Sequence, residues 1–273
     1  MAGNLRTSYL EVQSSFESLF KGCSLEDLWS HPELRPFFKN KEKRELLLLE
    51  LDNNTFVVKR YYGPGTGLFR YVFRGFRDRY GPENEWQKAQ FLKVLGIKAS
   101  EPVAFGVERY CGVIRRALLV TLKMEGNRLE DMLKEKAELK DKTRVVKDLA
   151  AFAGQFHALG LSHQDFYLCH FFWSAESREI GLIDLQRIRY YKGENGQPRL
   201  RWIVKDLAQL DYSARNVLER EEYSQLKKVF VSEYEQYLPL IVEEKIVSKI
   251  RKKVARIARH DQKLRAREGL KSI

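Results

Sequence analysis

The densest run of reactive side chains in the chain is Leu161-Ser162-His163-Gln164-Asp165-Phe166-Tyr167-Leu168-Cys169-His170, and nineteen residues after Asp165 comes Asp184, set between Ile183 and Leu185. Two carboxylates so spaced, one in a polar loop and one bracketed by apolar strand residues, suit phosphoryl transfer. One orients a hydroxyl nucleophile and takes its proton, while the other holds the divalent ion that neutralises the migrating phosphate. Taken singly, each also reads as a capped loop aspartate, and a lone His-x-Asp is common by chance. Two further parts stand upstream. Val57-Val58-Lys59 lies in a β-rich run, and Glu85 follows twenty-six residues after Lys59 at the start of a helical pattern. A strand lysine that meets nucleotide phosphates, held by a glutamate on a nearby helix, belongs to the same machinery. Glu83 competes with Glu85 for that place, because any first helical turn is enriched in acids.

The elements that must position these groups are legible in outline. The first 35 residues read as short helical pieces, with Ser24 and Asp27 as a helix start. A strand around Arg35 to Lys39 precedes two β-rich runs, RELLLLEL and TFVVKRYY, joined by Asp52-Asn53-Asn54, a composition suited to a tight hairpin. After a loop rich in Gly and Arg, Glu83 to Leu95 has helical spacing, and apolar runs near 102 and 117 complete a five-stranded antiparallel sheet with one helix. Beyond Met124 the composition turns helical. Leu129 to Leu159 is periodic until Gly160 stops it, short strands are expected at Phe171 to Trp173 and Ile180 to Leu185, and helices return from Ile203. Strands first and helices later make an α+β chain of two lobes, 1–125 and 126–273.

Composition narrows the setting. With 273 residues, 44% apolar, the chain has material for a substantial core, which excludes general disorder and makes a repeat array a poor fit. No apolar run approaches the roughly 20 residues that cross a bilayer, and the start lacks the apolar stretch of a secretion signal, so a cytoplasmic protein is expected. Cys23, Cys111 and Cys169 are scattered, as in a reducing compartment. The formal net charge is +12, and from Lys245 to the end eleven Lys and Arg face only Asp261 and Glu268, so an anionic partner is expected. The last helix places Ile246, Ile250, Val254 and Ile257 on one side and its basic residues on the other.

His163-Gln164-Asp165-Phe166-Tyr167-Leu168-Cys169-His170-Phe171 resembles the catalytic loop of the lipopolysaccharide core heptose kinases, within the wider lipopolysaccharide kinase family that includes the Kdo kinases. Asn84-Glu85-Trp86, Ile183-Asp184-Leu185 with Arg187, Arg201-Trp202 leading to Lys205-Asp206-Leu207, and Tyr212-Ser213-Ala214 extend the resemblance over about residues 45 to 235. It implies a bilobal protein-kinase-like fold, with a small antiparallel-sheet N-lobe carrying one helix and a mainly helical C-lobe. It also implies ATP- and Mg-dependent phosphorylation of a heptose in the lipopolysaccharide inner core, at the cytoplasmic face of the inner membrane. Matching positions suggest Asp165 as base, with His163 and His170 in the catalytic loop. Lys59 and Glu85 would serve the phosphates, Leu122 and Met124 would flank the adenine, and Asp184 would be the metal ligand. Asp206 resembles the buried acid that braces the catalytic loop through backbone amides.

Three features depart from protein kinases. His170 stands where they bind a second magnesium through asparagine, and imidazole suits so hard an ion poorly; a hydrogen bond to the loop and ligation through water both stay open. Gln164 replaces the usual arginine, which favours constitutive competence. No glycine-rich phosphate loop appears near 36–50, where Lys39-Asn40-Lys41-Glu42-Lys43 forms the expected turn. Arg187, Arg189, Lys192, Arg199 and Arg201, around Gly193 and Gly196, are candidates for binding an anionic glycolipid acceptor. The basic C-terminal segment would meet the inner-membrane surface, and an acidic carrier protein is a further possible partner. The main alternative is a kinase for Kdo, an aminoglycoside, a choline-like alcohol or a protein. Nucleic acid is not expected, since no aromatic-basic RNA motif is present. A pseudokinase would not retain Lys59, Asp165 and Asp184, and a zinc hydrolase built on His163, Cys169 and His170 lacks a second ligand cluster.

Overall fold

The computed structural model describes residues 6–37, 44–64, 68–73, 75, 81–135, 138–191, 200–239 and 243–269. The expected turn at Lys39 to Lys43, and Lys192, Gly193, Gly196 and Arg199, lie outside the described residues. The chain divides into two compact units. One comprises Met1–Met124 with the short returning segment Ile183–Gln186; the other comprises Glu125–Leu182 and Arg187–Ile273.

The first unit is built on β1 (Arg6–Val12), β2 (Arg35–Pro36), β3 (Arg44–Leu51), β4 (Asn54–Tyr62), β5 (Pro102–Tyr110) and β6 (Val113–Leu122), an antiparallel sheet in the order β1-β5-β6-β4-β3-β2. Asp52 and Asn53 turn β3 into β4 with φ of 44° and 62°. Two consecutive left-handed residues make the turn whose twist matches the strands it joins, and Asp and Asn tolerate that conformation better than most. The central strand β6 is buried on both faces. Leu118 and Val120 join Leu49, Phe56, Val58, Phe20 and Leu28 on one side, while Ala117 and Leu119 join Tyr71, Trp86, Phe105 and Val107 on the other. Alternate side chains of a strand point to opposite faces, so burial on both turns the strand into the continuous apolar run ALLV.

Two expectations for this unit are corrected. The sheet has six strands, because Arg6–Val12, read as helical from the sequence, pairs antiparallel with β5 from Arg6↔Tyr110 to Val12↔Ala104. As an edge strand it turns only Leu10 and Val12 onto the core, which leaves its apolar alternation short. Among the described residues three helices accompany the sheet: α1 (Leu25–Trp29) and α3 (Pro82–Val94), where the sequence places helices, and α2 (Leu68–Phe73), in the stretch read as a loop rich in Gly and Arg. α1 does start where the sequence places it. The Asp27 N–H donates to Ser24 Oγ (3.2 Å) and the Ser24 N–H donates to Asp27 Oδ2 (2.8 Å), a reciprocal cap.

The second unit runs β7 (Asn127–Arg128), α4 (Leu129–Lys134), α5 (Leu139–Ala158), β8 (Leu161–Ser162), β9 (Phe171–Trp173), β10 (Ile180–Leu182), β11 (Arg189–Tyr190), α6 (Leu200–Val217), α7 (Arg220–Tyr234) and α8 (Glu244–Gly269). The long helical stretch expected after Leu129 is therefore two helices. Its opening turn needs Gly126, which has φ of 88° and whose Cβ, if it had one, would lie 2.4 Å from the Trp173 carbonyl oxygen. α5 packs against α7 and α8 against α6, with Ile246 and Val254 of α8 buried. Among the described residues no helix is long and apolar enough to cross a membrane.

Candidate active site

In the first unit Lys59 sits on β4, between Leu46 of β3 and Leu119 of β6 in the ladder. Its Nζ lies 2.5 Å from Glu85 Oε1 on α3, with side-chain exposures of 13% and 1%. Glu83, the competing acid, turns outward to Arg109 at 3.1 Å. A buried ion pair adds little to stability once the desolvation of both charges is counted. A third residue completes it. Gln186 Nε2 donates to the second Glu85 oxygen (3.1 Å) and to Tyr61 Oη (2.7 Å), while Asn84 Nδ2 donates to the Gln186 carbonyl (2.6 Å). Burial first, and the Glu85 charge second, push the Tyr61 phenol well above its ordinary value, so it stays a neutral hydroxyl. Gln186 was not among the residues expected from sequence. Its only signal was a polar side chain inside Ile183-Asp184-Leu185-Gln186-Arg187-Ile188. Asp184, two residues earlier, holds φ of 58°, in the left-handed region that Asp adopts more readily than most residues. Leu122 ends β6 half-buried, and Met124 is half-buried two residues on. The amides of Leu122 and Lys123 are already donated to the carbonyls of Glu101 and Thr55, at 2.9 and 2.8 Å.

In the second unit the catalytic-loop sequence is hung from one face of α6. Asp206, Gln209 and Ser213 recur at i, i+3 and i+7, one helical stripe, and all three are buried. Asp206 accepts the amides of His163 (2.7 Å) and Gln164 (2.8 Å), Gln209 Oε1 accepts that of Phe166 (3.1 Å), and Ser213 Oγ accepts that of Leu168 (3.1 Å). Sequence reasoning gave Asp206 its bracing role, named Ser213 only within a resembling motif and passed over Gln209. Gln164 has φ of 64°, and its carbonyl accepts from Lys205 Nζ (2.5 Å) and Gln209 Nε2 (3.2 Å), so its left-handed peptide is fixed from both ends. Burial pulls the Lys205 ammonium below the usual lysine value.

His170 Nδ1 lies 2.6 Å from the Asp165 carbonyl oxygen, which can only accept, so Nδ1 carries the proton. A carboxylate oxygen of Asp165 and a ring nitrogen of His170 stand within 4.8 Å of each other. His163, expected among the catalytic residues, has no exposed surface and stacks behind the loop beside Phe166 and His170. Its ring packs tilted against both, 6.2 Å from Phe166 and 5.7 Å from His170 between centroids. The Asp165 carboxylate is 27% exposed, and Arg187 Nη1 stands 4.0 Å from its Oδ1. Arg189 and Arg201 lie over the Trp202 ring at 5.5 and 4.2 Å, and Arg189 Nη1 donates to Tyr191 Oη (3.0 Å). After the 3₁₀ turn Leu168–His170, β9 pairs with β10 so that Phe171 faces Leu182. One register thus puts the residue that ends the loop, and the strand that leads in two steps to Asp184, at the same end of a hairpin.

The sequence profile of the lipopolysaccharide kinase (Kdo/WaaP) family matches residues 29–230. The lipopolysaccharide core heptose(I) kinase WaaP of Pseudomonas aeruginosa is 26% identical over 193 residues, 66% of this chain and 70% of that protein. WaaP of Escherichia coli is 27% identical over 194 residues, 66% and 71% respectively. Among solved structures, WaaP in complex with acyl carrier protein superposes with a TM-score of 0.62 at 22% identity, covering 91% of this chain and 98% of that one. That likeness carries the protein-kinase-like fold. The profile spans well over half of the chain, from the end of α1 into α7, a range that holds Lys59, Glu85, Asp165, Asp184 and Asp206. On that ground this phosphotransferase belongs to the lipopolysaccharide kinase (Kdo/WaaP) family.

Proposed function

We propose that the protein transfers the γ-phosphoryl group of ATP to a heptose hydroxyl of the lipopolysaccharide inner core, with Asp165 as the base. The observation that carries this reading is the loop of Asp165: its amides are held by α6, and its partly exposed carboxylate stands 4.0 Å from Arg187 Nη1. Asp165 orients the sugar oxygen and takes its proton as the phosphoryl group leaves, and Arg187 offers a planar cation to the same oxyanions. Lys59, fixed by Glu85, meets the nucleotide phosphates. With the amides of Leu122 and Lys123 already used, the backbone at Met124 is left to read the adenine edge.

The donor set fits magnesium. Asp184 offers hard carboxylate oxygens, and the same side chain suits no apolar core role at its left-handed position. His170 is assigned to bracing the Asp165 carbonyl, since its Nδ1 proton is spent there. Magnesium, when bound, would neutralise charge on the transferring phosphate. Arg189 and Arg201, flattened on Trp202, are assigned to the acidic groups of the acceptor. The exposed Lys249, Lys252 and Arg256 of α8 draw the enzyme to anionic headgroups at about 1 kcal/mol per residue near the surface. The solved complex of WaaP with acyl carrier protein supports an acidic carrier protein as a partner.

The test of the acceptor is incubation with labelled ATP, magnesium and dephosphorylated inner-core lipopolysaccharide. Label is expected on a heptose. Label on Kdo, on an aminoglycoside or on protein, with none on heptose, would move the assignment to that acceptor. Gln186 provides a second check as a positioning residue. Gln186→Ala loses a hydrogen bond to the Glu85 charge, and kcat/KM for ATP should fall roughly tenfold. Gln186→Glu sets a second carboxylate against Glu85 and should cost more than the alanine. Equal activity of both variants and the parent would remove Gln186 from the site.

A further inference from the structure

We propose that α2 is a membrane-insertion element, whose outward face of Leu68, Phe69, Val72 and Phe73 enters the boundary between headgroups and acyl chains of an anionic bilayer. The helix is docked by one side chain. Tyr71 is 1% exposed, among Trp86, Phe105 and Ile114, and its hydroxyl donates to the Gly112 carbonyl at 3.1 Å. That anchor fixes which way the other residues face. Leu68, Phe69, Val72 and Phe73 are 56%, 74%, 46% and 75% exposed, and the two phenyl rings, one turn apart, lie 4.3 Å apart between centroids. A helix on a water-facing surface buries its apolar stripe and turns polar groups outward; α2 does the reverse with four of its six residues. Contiguous apolar surface of this kind marks an interaction site.

Charge and area choose the partner. Arg70 is exposed within the helix, and the sequence from Tyr62 to Tyr80 carries Arg70, Arg74, Arg77 and Arg79 against the single acid Asp78. An exposed pair of phenyl rings in an Arg-rich stretch of sequence suits the interface of an anionic membrane, where apolar rings enter the acyl boundary and cations stay with phosphate. Four side chains expose on the order of a few hundred Å², short of the roughly 800 Å² per partner of a stable protein interface, which disfavours a second copy of the chain. The proposal extends the membrane reading of α8, from which it differs in physical character. Attraction by α8 is electrostatic and screened by salt, while insertion of α2 survives it.

The experiment is sedimentation of the whole protein with phosphatidylcholine vesicles holding roughly one-third phosphatidylglycerol, at low salt and at about 0.5 M NaCl. The parent should stay bound at both salts. F69S/F73S, which alters exposed residues only, should keep its melting temperature and lose at least about tenfold in partitioning at high salt, a difference of ~1.4 kcal/mol. Reversal of Lys249, Lys252 and Arg256 to Glu should lose the low-salt component and keep the rest. In F73W, brominated acyl chains should quench fluorescence beyond the parent's level, which places the ring inside the bilayer. Three results would overturn the proposal: parent-like binding by F69S/F73S at high salt, no extra quenching in F73W, or a lipid-free dimer that the double substitution dissolves. Phosphoryl transfer to detergent-dispersed acceptor should be unchanged in F69S/F73S, so failure here is separate from failure of the kinase assignment; lost transfer would instead place α2 in the reaction site and overturn its membrane role.

Discussion

Asp165→Ala lowers phosphoryl transfer to the sugar by about three orders of magnitude while moving the melting temperature by no more than roughly 3 °C. Both halves of this expectation follow from where the residue's bonds go. The Asp165 backbone carbonyl accepts from His170 Nδ1 at 2.6 Å and from the Tyr167 amide at 2.9 Å, and substitution of the side chain leaves both intact. The neighbouring amides are held by Asp206, Gln209 and Ser213, which the substitution does not touch. The carboxylate itself is partly exposed and faces Arg187, a weak pair at 4.0 Å. Its loss therefore removes chemistry and leaves the fold. Asp165→Asn separates the two tasks of the group. The amide keeps size and a hydrogen-bond acceptor for the sugar hydroxyl but cannot take its proton, so a loss close to that of alanine is expected. Activity within tenfold of the parent in the asparagine variant would mean that Asp165 orients the acceptor and another group receives the proton. Rates on the heptose acceptor at saturating ATP, with thermal melts alongside, decide it.

The parts of this molecule that could be read ahead of its structure are those where local chemistry and tertiary role coincide. Asp52-Asn53 has one favourable use between two β-rich runs, and Ser24 with Asp27 has one favourable use before a helix. The loop from His163 to Phe171 was legible because its reactive residues are adjacent in the chain. Other features were hidden for physical reasons. Leu10 and Val12 give β1 only two inward residues, too few to separate an edge strand from a short helix. α2 is apolar at five of its six positions, and neither a helical nor a strand period shows in such a run. Gln209 and Ser213 are polar residues on a helix, a pattern that an ordinary solvent-facing side also gives. The sequence has no way to say that the surface covering them is a loop 43 to 45 residues earlier, whose amides need acceptors.

That dependence makes Asp206→Asn the most damaging of the conservative substitutions. Asp206 has no exposed surface, and each of its oxygens accepts a backbone amide, from His163 at 2.7 Å and from Gln164 at 2.8 Å. His157 Nε2 stands 3.5 Å from Oδ2, and the Tyr234 hydroxyl, which burial keeps protonated, is hydrogen-bonded to His157 Nδ1 at 2.9 Å. Asparagine preserves one acceptor oxygen and replaces the other with an NH₂ group aimed at an N–H. One buried amide must then lose its partner, whichever way the side chain is turned. The loss of a charged acceptor and the orphaned donor together cost about 3 kcal/mol, which lowers the melting temperature by roughly 6–12 °C. Activity should fall further than the unfolded fraction explains. Gln164 holds φ of 64° only because its amide and carbonyl are both tied down, and a non-glycine residue released from that conformation gains ~1 kcal/mol or more by leaving it. Asp165, the next residue, moves with it. At temperatures well below the transition kcat should therefore drop at least tenfold with little change in KM for ATP, since Lys59 and Glu85 belong to another part of the chain. Gln164→Gly in the same background should return part of the stability, because glycine accepts a positive φ without strain, but not the activity, since the freed peptide no longer aims the carboxylate. Recovery of both by glycine would show that strain alone, and not the two amide bonds, connects α6 to the reaction.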